Sequence, residues 1–129
     1  MEGDKIKSFT GLNAWKEGHK LVLLIYKETG NFPEKEVFGL TSQMRRCVVS
    51  ITSNIAEGFS RSTSKDKNNF FSFALGSLTE LQNQLLVAKD IKYLKKDDFS
   101  LIARQTVVVS KLINGLRKYN FKKEHNCDT

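Results

Sequence analysis

The sequence predicts an all-α fold, an antiparallel up-down-up-down four-helix bundle. Two observations predict it. Four segments of the 129-residue chain place apolar side chains at alternating steps of three and four, the spacing of a helix stripe packed nearly parallel to its neighbours. The chain also holds only one proline and eight glycines, too few breakers for a turn-rich β architecture. A chain of this length suits one domain, residues 1–129, able to bury one core without disulfides or metals.

The first helix is expected over about 12–30, with Leu12, Trp15, His19, Val22 and Tyr26 as its stripe. The run Gly30-Asn31-Phe32-Pro33 ends it. The second is expected over about 36–58, with Val37, Thr41, Met44, Val48, Ile51 and Ile55 facing inward and Gly58 as a natural stop. A short polar linker follows, offering Ser62, Thr63 or Ser64 as an N-cap. The third, about 64–92, carries Phe71, Ala74, Leu78, Leu81, Leu85 and Ala88. The fourth, about 97–119, begins at Asp97 and Asp98, whose charges suit a helix N-terminus, and carries Phe99, Ile102, Thr106, Val109, Ile113 and Leu116. The polar tail 120–129 is expected to fray. Short connections make sequential helices antiparallel, and the second and third form a long hairpin.

Some segments are apolar beyond a single stripe: Leu21 to Ile25, Cys47 to Val49 and Val107 to Val109. A lone bundle needs one buried face per helix, so the surplus points to burial against further copies of the chain. The plainer alternative is a wider core stripe.

Lys and Arg number twenty-one against fourteen Asp and Glu, a net charge of +7. That balance attracts polyanions such as RNA or DNA, or an acidic protein surface, and also serves solubility alone. The basic residues fall into groups. In an up-down bundle Lys92, Lys95 and Lys96 lie at one pole. Arg61, Lys65 and Lys67 lie at the other, joined by Arg117, Lys118, Lys122 and Lys123. Such clusters suit phosphate contacts rather than base readout, and equally suit a solvated surface.

Catalytic patterns are missing. A di-metal bundle site needs Glu-x-x-His pairs, but Lys16 and Lys122 stand three residues before His19 and His125. His19 on its stripe reads as a core or interface residue. Arg117 and His125 straddle an expected helix end, a poor arrangement for a helical ribonuclease. The stretch Gly58 to Lys65 lacks the glycine and the preceding strand of a phosphate-binding loop, though as a helix start it could hold a phosphate. Cys47 and Cys127 suggest neither a zinc site nor a disulfide framework, and reduced thiols suit a cytoplasmic protein. Met1 to Phe9 lacks a signal-peptide core, and the longest apolar run is too short for a bilayer, so no membrane partner is expected. The expectation is a non-enzyme with no cofactor and no metal.

Polar residues inside the hairpin form a candidate structural network: Arg46, Asn54, Glu57 and Glu80. An Arg46–Glu80 ion pair would fix register. Glu57, unfavourable at a helix C-terminus, needs a cation such as Arg61.

In order along the chain stand Trp15-Lys16, Phe32-Pro33, Glu36, Phe38-Gly39-Leu40, Gln43-Met44-Arg45-Arg46, Ser50-Ile51, Asn54-Ile55-Ala56-Glu57-Gly58, Gly76-Ser77-Leu78-Thr79-Glu80-Leu81 and Tyr93-Leu94. This pattern resembles the four-helix bundle family encoded in intervening sequences of bacterial 23S rRNA genes, which is related to the accessory protein of diversity-generating retroelements. The motifs cover about Phe9 to Leu94; the last helix matches in pattern only. The resemblance implies a homopentameric ring with a central channel. The retroelement relative is a non-enzymatic partner of a reverse transcriptase that binds nucleic acid through basic surface, which makes non-specific binding of RNA or DNA the expectation here and a protein-interaction scaffold, such as an accessory partner of a reverse transcriptase, the alternative. The family pattern carries proline where this chain has Thr52, which makes a straighter second helix the expectation.

Overall fold

The computed structural model describes residues 6–127, with side chains as far as Lys123. The side chains of His125 and Cys127, and residues 128–129 of the expected tail, lie outside the described residues. Four helices make up the fold: α1 (Asn13–Thr29), α2 (Leu40–Ser60), α3 (Ser64–Asp90) and α4 (Lys96–Cys127). No strand occurs among the described residues. Contacts between helices fix the directions. Thr52 of α2 meets Gly18 of α1, and Arg45 of α2 reaches Thr29. Ser50 bonds Ser77, while Gly58 lies against Phe71. Gln82 bonds Thr106, and Asn68 bonds Arg117. Each sequential pair therefore runs antiparallel, and α1 closes the square through Glu17 and Gln105 of α4.

The core stripes of α2, α3 and α4 follow the spacing read from the sequence. All six expected residues of α3 are buried, from Phe71 to Ala88. Met44, Val48, Ile51 and Ile55 are buried on α2, and Ile102, Val109 and Ile113 on α4. The first stripe needs correction. The buried face of α1 is Ala14, Gly18, Leu21, Val22, Ile25 and Thr29. His19 and Tyr26 are exposed, and the His19 imidazole stacks on Trp15 at 4.7 Å between centroids. The small residues decide this register. A Cβ on Gly18 would sit 3.0 Å from the Thr52 methyl, so α1 turns its smallest face to α2.

Three helix ends also differ from expectation. The second helix starts at Leu40, not near 36. A 3-10 turn at Glu34–Glu36 precedes it, the Gly39 backbone (φ −113°, ψ −118°) interrupts any continuation, and Val37 stays exposed. Gly58 does not stop this helix, which continues through Ser60. It is instead a close-approach position, where a Cβ would lie 2.6 Å from the Phe71 ring. The fourth helix does not end near 119 but runs to Cys127, 32 residues or about 48 Å. Buried Asn120, whose amide donates to Asn68 Oδ1 at 2.9 Å, carries it past that point. α3 stops just after Asp90, where Lys92 adopts a left-handed conformation (φ 73°) and the Tyr93 and Leu94 N–H groups return to the Ala88 carbonyl.

No helix among the described residues is long and apolar enough to cross a membrane.

Candidate nucleic-acid interface

The basic groups occupy two poles. At one, Lys89, Asp90, Lys92, Leu94, Lys95 and Lys96 line an open cavity of about 420 Å³ between the end of α3 and the start of α4. Lys92, Lys95 and Lys96 are exposed there. Lys89 contacts Asp90 at 3.7 Å and lies 4.7 Å above the Phe99 ring, so this pole is partly compensated.

The opposite pole joins the α2–α3 turn to the far end of α4. Thr63 caps α3 by accepting from the Asp66 N–H at 3.1 Å. Two of the candidate cations here are engaged. Arg61 pairs with Glu57 at 2.8 Å, four residues back, and covers the Phe70 ring at 4.5 Å. Lys67 donates to the Phe59 carbonyl at 2.8 Å and thereby caps the C-terminus of α2. Burial, and then the nearby Lys123 charge, hold the Lys67 ammonium below its ordinary pKa. Lys67 is thus a structural cation rather than a free phosphate ligand. Lys65, Lys118, Lys122 and Lys123 remain accessible to solvent.

Arg117, Lys118 and Lys122, with Asn68, Asn114 and Phe121, line a cavity of about 700 Å³ at this pole. Asn68 is fixed on both sides, donating to the Arg117 carbonyl at 3.2 Å and accepting from Asn120. Among the described residues no carboxylate pairs with any of the three cations. Arg117, Lys118 and Lys122 are thus three neighbouring cations without a paired carboxylate among the described residues, a local excess of positive charge beside the Glu57–Arg61 pair and Asp66.

The groove between α2 and α3 holds Arg46 and Glu80, two of the four residues of the predicted polar network. Phe38, Ser42, Gln43, Arg46, Cys47, Ser50, Ser77 and Glu80 line a cavity of about 440 Å³. Arg46 and Glu80 share the groove, but no ion pair joins them among the described residues. The register is held by smaller groups. Ser50 and Ser77 hydroxyls meet at 2.9 Å, the Cys47 thiol donates to the Ser77 carbonyl at 3.0 Å, and Asn54 donates to the Ser50 carbonyl at 2.9 Å. Glu57 stands apart with Arg61. Burial, then the neighbouring Glu80 carboxylate, push the Cys47 thiol up to about 12. Ser50 and Ser77 are legible from the polar face of the hairpin, whereas Cys47 is passed over, because a thiol in an apolar run carries no signal until the two helices are paired. The neighbouring Arg45 acts elsewhere. Its Nε donates to Thr29 Oγ1 at 2.9 Å and its Nη2 to the Tyr26 carbonyl at 3.3 Å, capping α1.

Apolar surface remains uncovered on the single chain. Leu23, Val49, Val107 and Val108 from the apolar runs are exposed, as are Leu86 and Phe73. Phe38 is 94% exposed. Among the described residues no group of three or more His, Cys, Asp or Glu side chains is placed to hold a metal ion.

The family model of the 23S rRNA-intervening sequence protein matches residues 10–115. No curated protein sequence matches the chain. The fold is similar to the crystal structure of a protein with unknown function from the S23 ribosomal protein family of Bacteroides thetaiotaomicron VPI-5482. The two share a TM-score of 0.73 and 22% identity, over 81% of this chain and 98% of that one.

Proposed function

The chain belongs to the 23S rRNA-intervening sequence protein family, and from that premise we propose that it is a non-enzymatic, self-associating cytoplasmic protein. In this reading it holds RNA or DNA by phosphate contacts at its basic poles. The observation that carries the reading is the pole where α4 passes the start of α3. There Arg117, Lys118 and Lys122 share one cavity without a pairing carboxylate among the described residues. A surface kept for solubility alone intersperses both signs; an uncompensated cluster raises the local concentration of polyanions. Contacts of this kind follow the backbone and carry little sequence preference.

Filter binding of single- and double-stranded RNA and DNA across a salt series tests the reading. Affinity is expected to fall linearly on a log–log plot against salt. Lys118→Gln with Lys122→Gln is expected to make the slope shallower by about one to two. No binding at low salt ends this reading.

The exposed apolar side chains support the self-association, for which the resemblance implies a pentameric ring. The mass of the protein in solution is the direct check, and a monomer would remove that part. The same surface favours a second reading, a scaffold for a protein such as a reverse transcriptase, because Phe38 at 94% exposure is a ready aromatic anchor for a partner's pocket. A partner recovered from native lysate after nuclease treatment would favour the scaffold over the nucleic-acid reading.

A further inference from the structure

We propose that the cavity formed by Asn68, Asn114, Arg117, Lys118, Phe121 and Lys122 seats a phosphate monoester dianion borne by a nucleotide, as at the phosphorylated end of a nucleic-acid strand. The inference rests on the nucleic-acid reading above and narrows it to one site and one chemical group.

Three features select this ligand. The first is charge. Three cations meet at the cavity with no carboxylate among the described residues paired to them. An internal phosphodiester brings one negative charge, whereas a terminal monoester is close to a dianion at neutral pH and offers three acceptor oxygens. The second is the state of Arg117. Its Nη1 makes one long bond to Asn114 Oδ1, 3.4 Å, and its Nε is shut away from water with no partner. The Nε N–H, one of the donors through which a guanidinium takes phosphate oxygens side by side, is therefore without an acceptor. An anion that reaches this N–H from the cavity would supply the acceptor it lacks. The third is rigidity and shape. Asn68 is bonded to Arg117 and Asn120, which locks α3 to α4 at the cavity wall. Phe121 adds an apolar wall, so the space accommodates more than an inorganic ion.

The test uses the full chain and one oligonucleotide sequence made with a phosphate or a hydroxyl at its end, for both the 5′ and 3′ termini. Fluorescence anisotropy at a single moderate salt concentration reads the affinities. A strand with a terminal phosphate at the preferred end is expected to bind about tenfold tighter than its hydroxyl counterpart, the size of an added charge-assisted contact. Arg117→Lys keeps the charge but removes the planar fork, and is expected to erase that advantage while leaving weak salt-sensitive binding to both strands. Lys118→Gln combined with Lys122→Gln, both outside the core, repeats the test where folding is not at stake. Adenosine monophosphate is the competitor that separates the sources. If it displaces the phosphorylated strand effectively, the seat takes a mononucleotide; if it has no effect while the advantage persists, the strand end is required. Equal binding of phosphate and hydroxyl ends overturns the seat and leaves the charge-based function standing. Loss of all binding at low salt overturns both.

Discussion

Gly58→Ala and Gly76→Ala are chemically the same substitution, and they are expected to change stability in opposite directions. Both glycines lie inside helices, α2 and α3. Replacing a helical glycine by alanine stabilises by about 1 kcal/mol when nothing else changes. At Gly76 nothing lies within 4 Å of the new Cβ, so that gain should appear in full. At Gly58 the new Cβ would meet Phe71 Cε1 at 2.6 Å, Phe71 Cδ1 at 2.9 Å and the Lys67 carbonyl at 3.2 Å. The obstacles are a ring only 3% exposed and a backbone oxygen, neither of which can swing aside as a flexible side-chain end would. Forcing a methyl group into such a contact costs about 1–3 kcal/mol. Set against the helical gain of about 1 kcal/mol, the net expectation for Gly58→Ala is a loss of about 1 kcal/mol, and the two variants should differ by about 2 kcal/mol. For a chain of this size each kcal/mol moves the melting temperature by about 3–6 °C. Urea unfolding followed by far-UV circular dichroism, at one fixed protein concentration, measures both. A Gly58→Ala midpoint at or above that of the parent chain would refute the close approach of α2 and α3.

Two further expectations concern titratable groups. The Glu36 carboxylate accepts from the Leu40 N–H at 3.1 Å and from the Tyr93 hydroxyl at 2.8 Å, and these bonds, the Leu40 one first, hold it below its ordinary value of 4.5. A depressed folded-state pKa gives stability that is fully present above the unfolded value and lost as pH falls through the folded one. The melting temperature should therefore drop on acidification below 4.5, and less steeply in Glu36→Gln; parallel curves for the two proteins would contradict the role given to Glu36. The Cys47 thiol is buried, bonded to Ser77 and pushed up to about 12. In a Cys127→Ser background it should react slowly with an aromatic disulfide reagent near neutral pH and rapidly in urea, because only the thiolate attacks. Rapid reaction of the native protein would be the contrary result.

The inward face of α3 is readable in the sequence because its apolar residues recur at steps of three and four over the whole helix. In α3, Phe71 through Ala88 are spaced on a single face, and all six are buried. The stripe of α1 misleads for the converse reason. Leu21 to Ile25 is apolar all round, so several stripes fit, and the deciding residues are Ala14 and Gly18, whose smallness rather than hydrophobicity marks the contact with α2. The far end of α4 escapes the pattern because its sequence past Tyr119 is polar. What holds that region is a bond from Asn120 to Asn68, 52 residues away, which no local pattern records. The same limit applies to the basic poles. Sequence locates the cations at helix ends, but does not separate Lys67, spent on capping α2, from Lys118 and Lys122, which pair with no carboxylate among the described residues. Arg46 and Glu80 of the polar network do meet in one groove, although the bonds there run through Ser50, Ser77 and Cys47 rather than through the charged pair.

The turn between α2 and α3 has a kinetic consequence. Only Arg61, Ser62 and Thr63 separate helices of 21 and 27 residues. Closing so short a loop costs little chain entropy, and the contacts it permits lie close in sequence. The α2–α3 pair is therefore the natural early unit of folding. α1 joins it across the Gly30–Gly39 connection, while α4 must meet both α3 and the distant first helix before the square is complete. The cavity at the α4 end depends on that last docking, because Asn68 comes from the hairpin and Arg117 from the late helix. A nascent chain that has assembled only its first three helices already carries much of the core, yet it holds no anion seat.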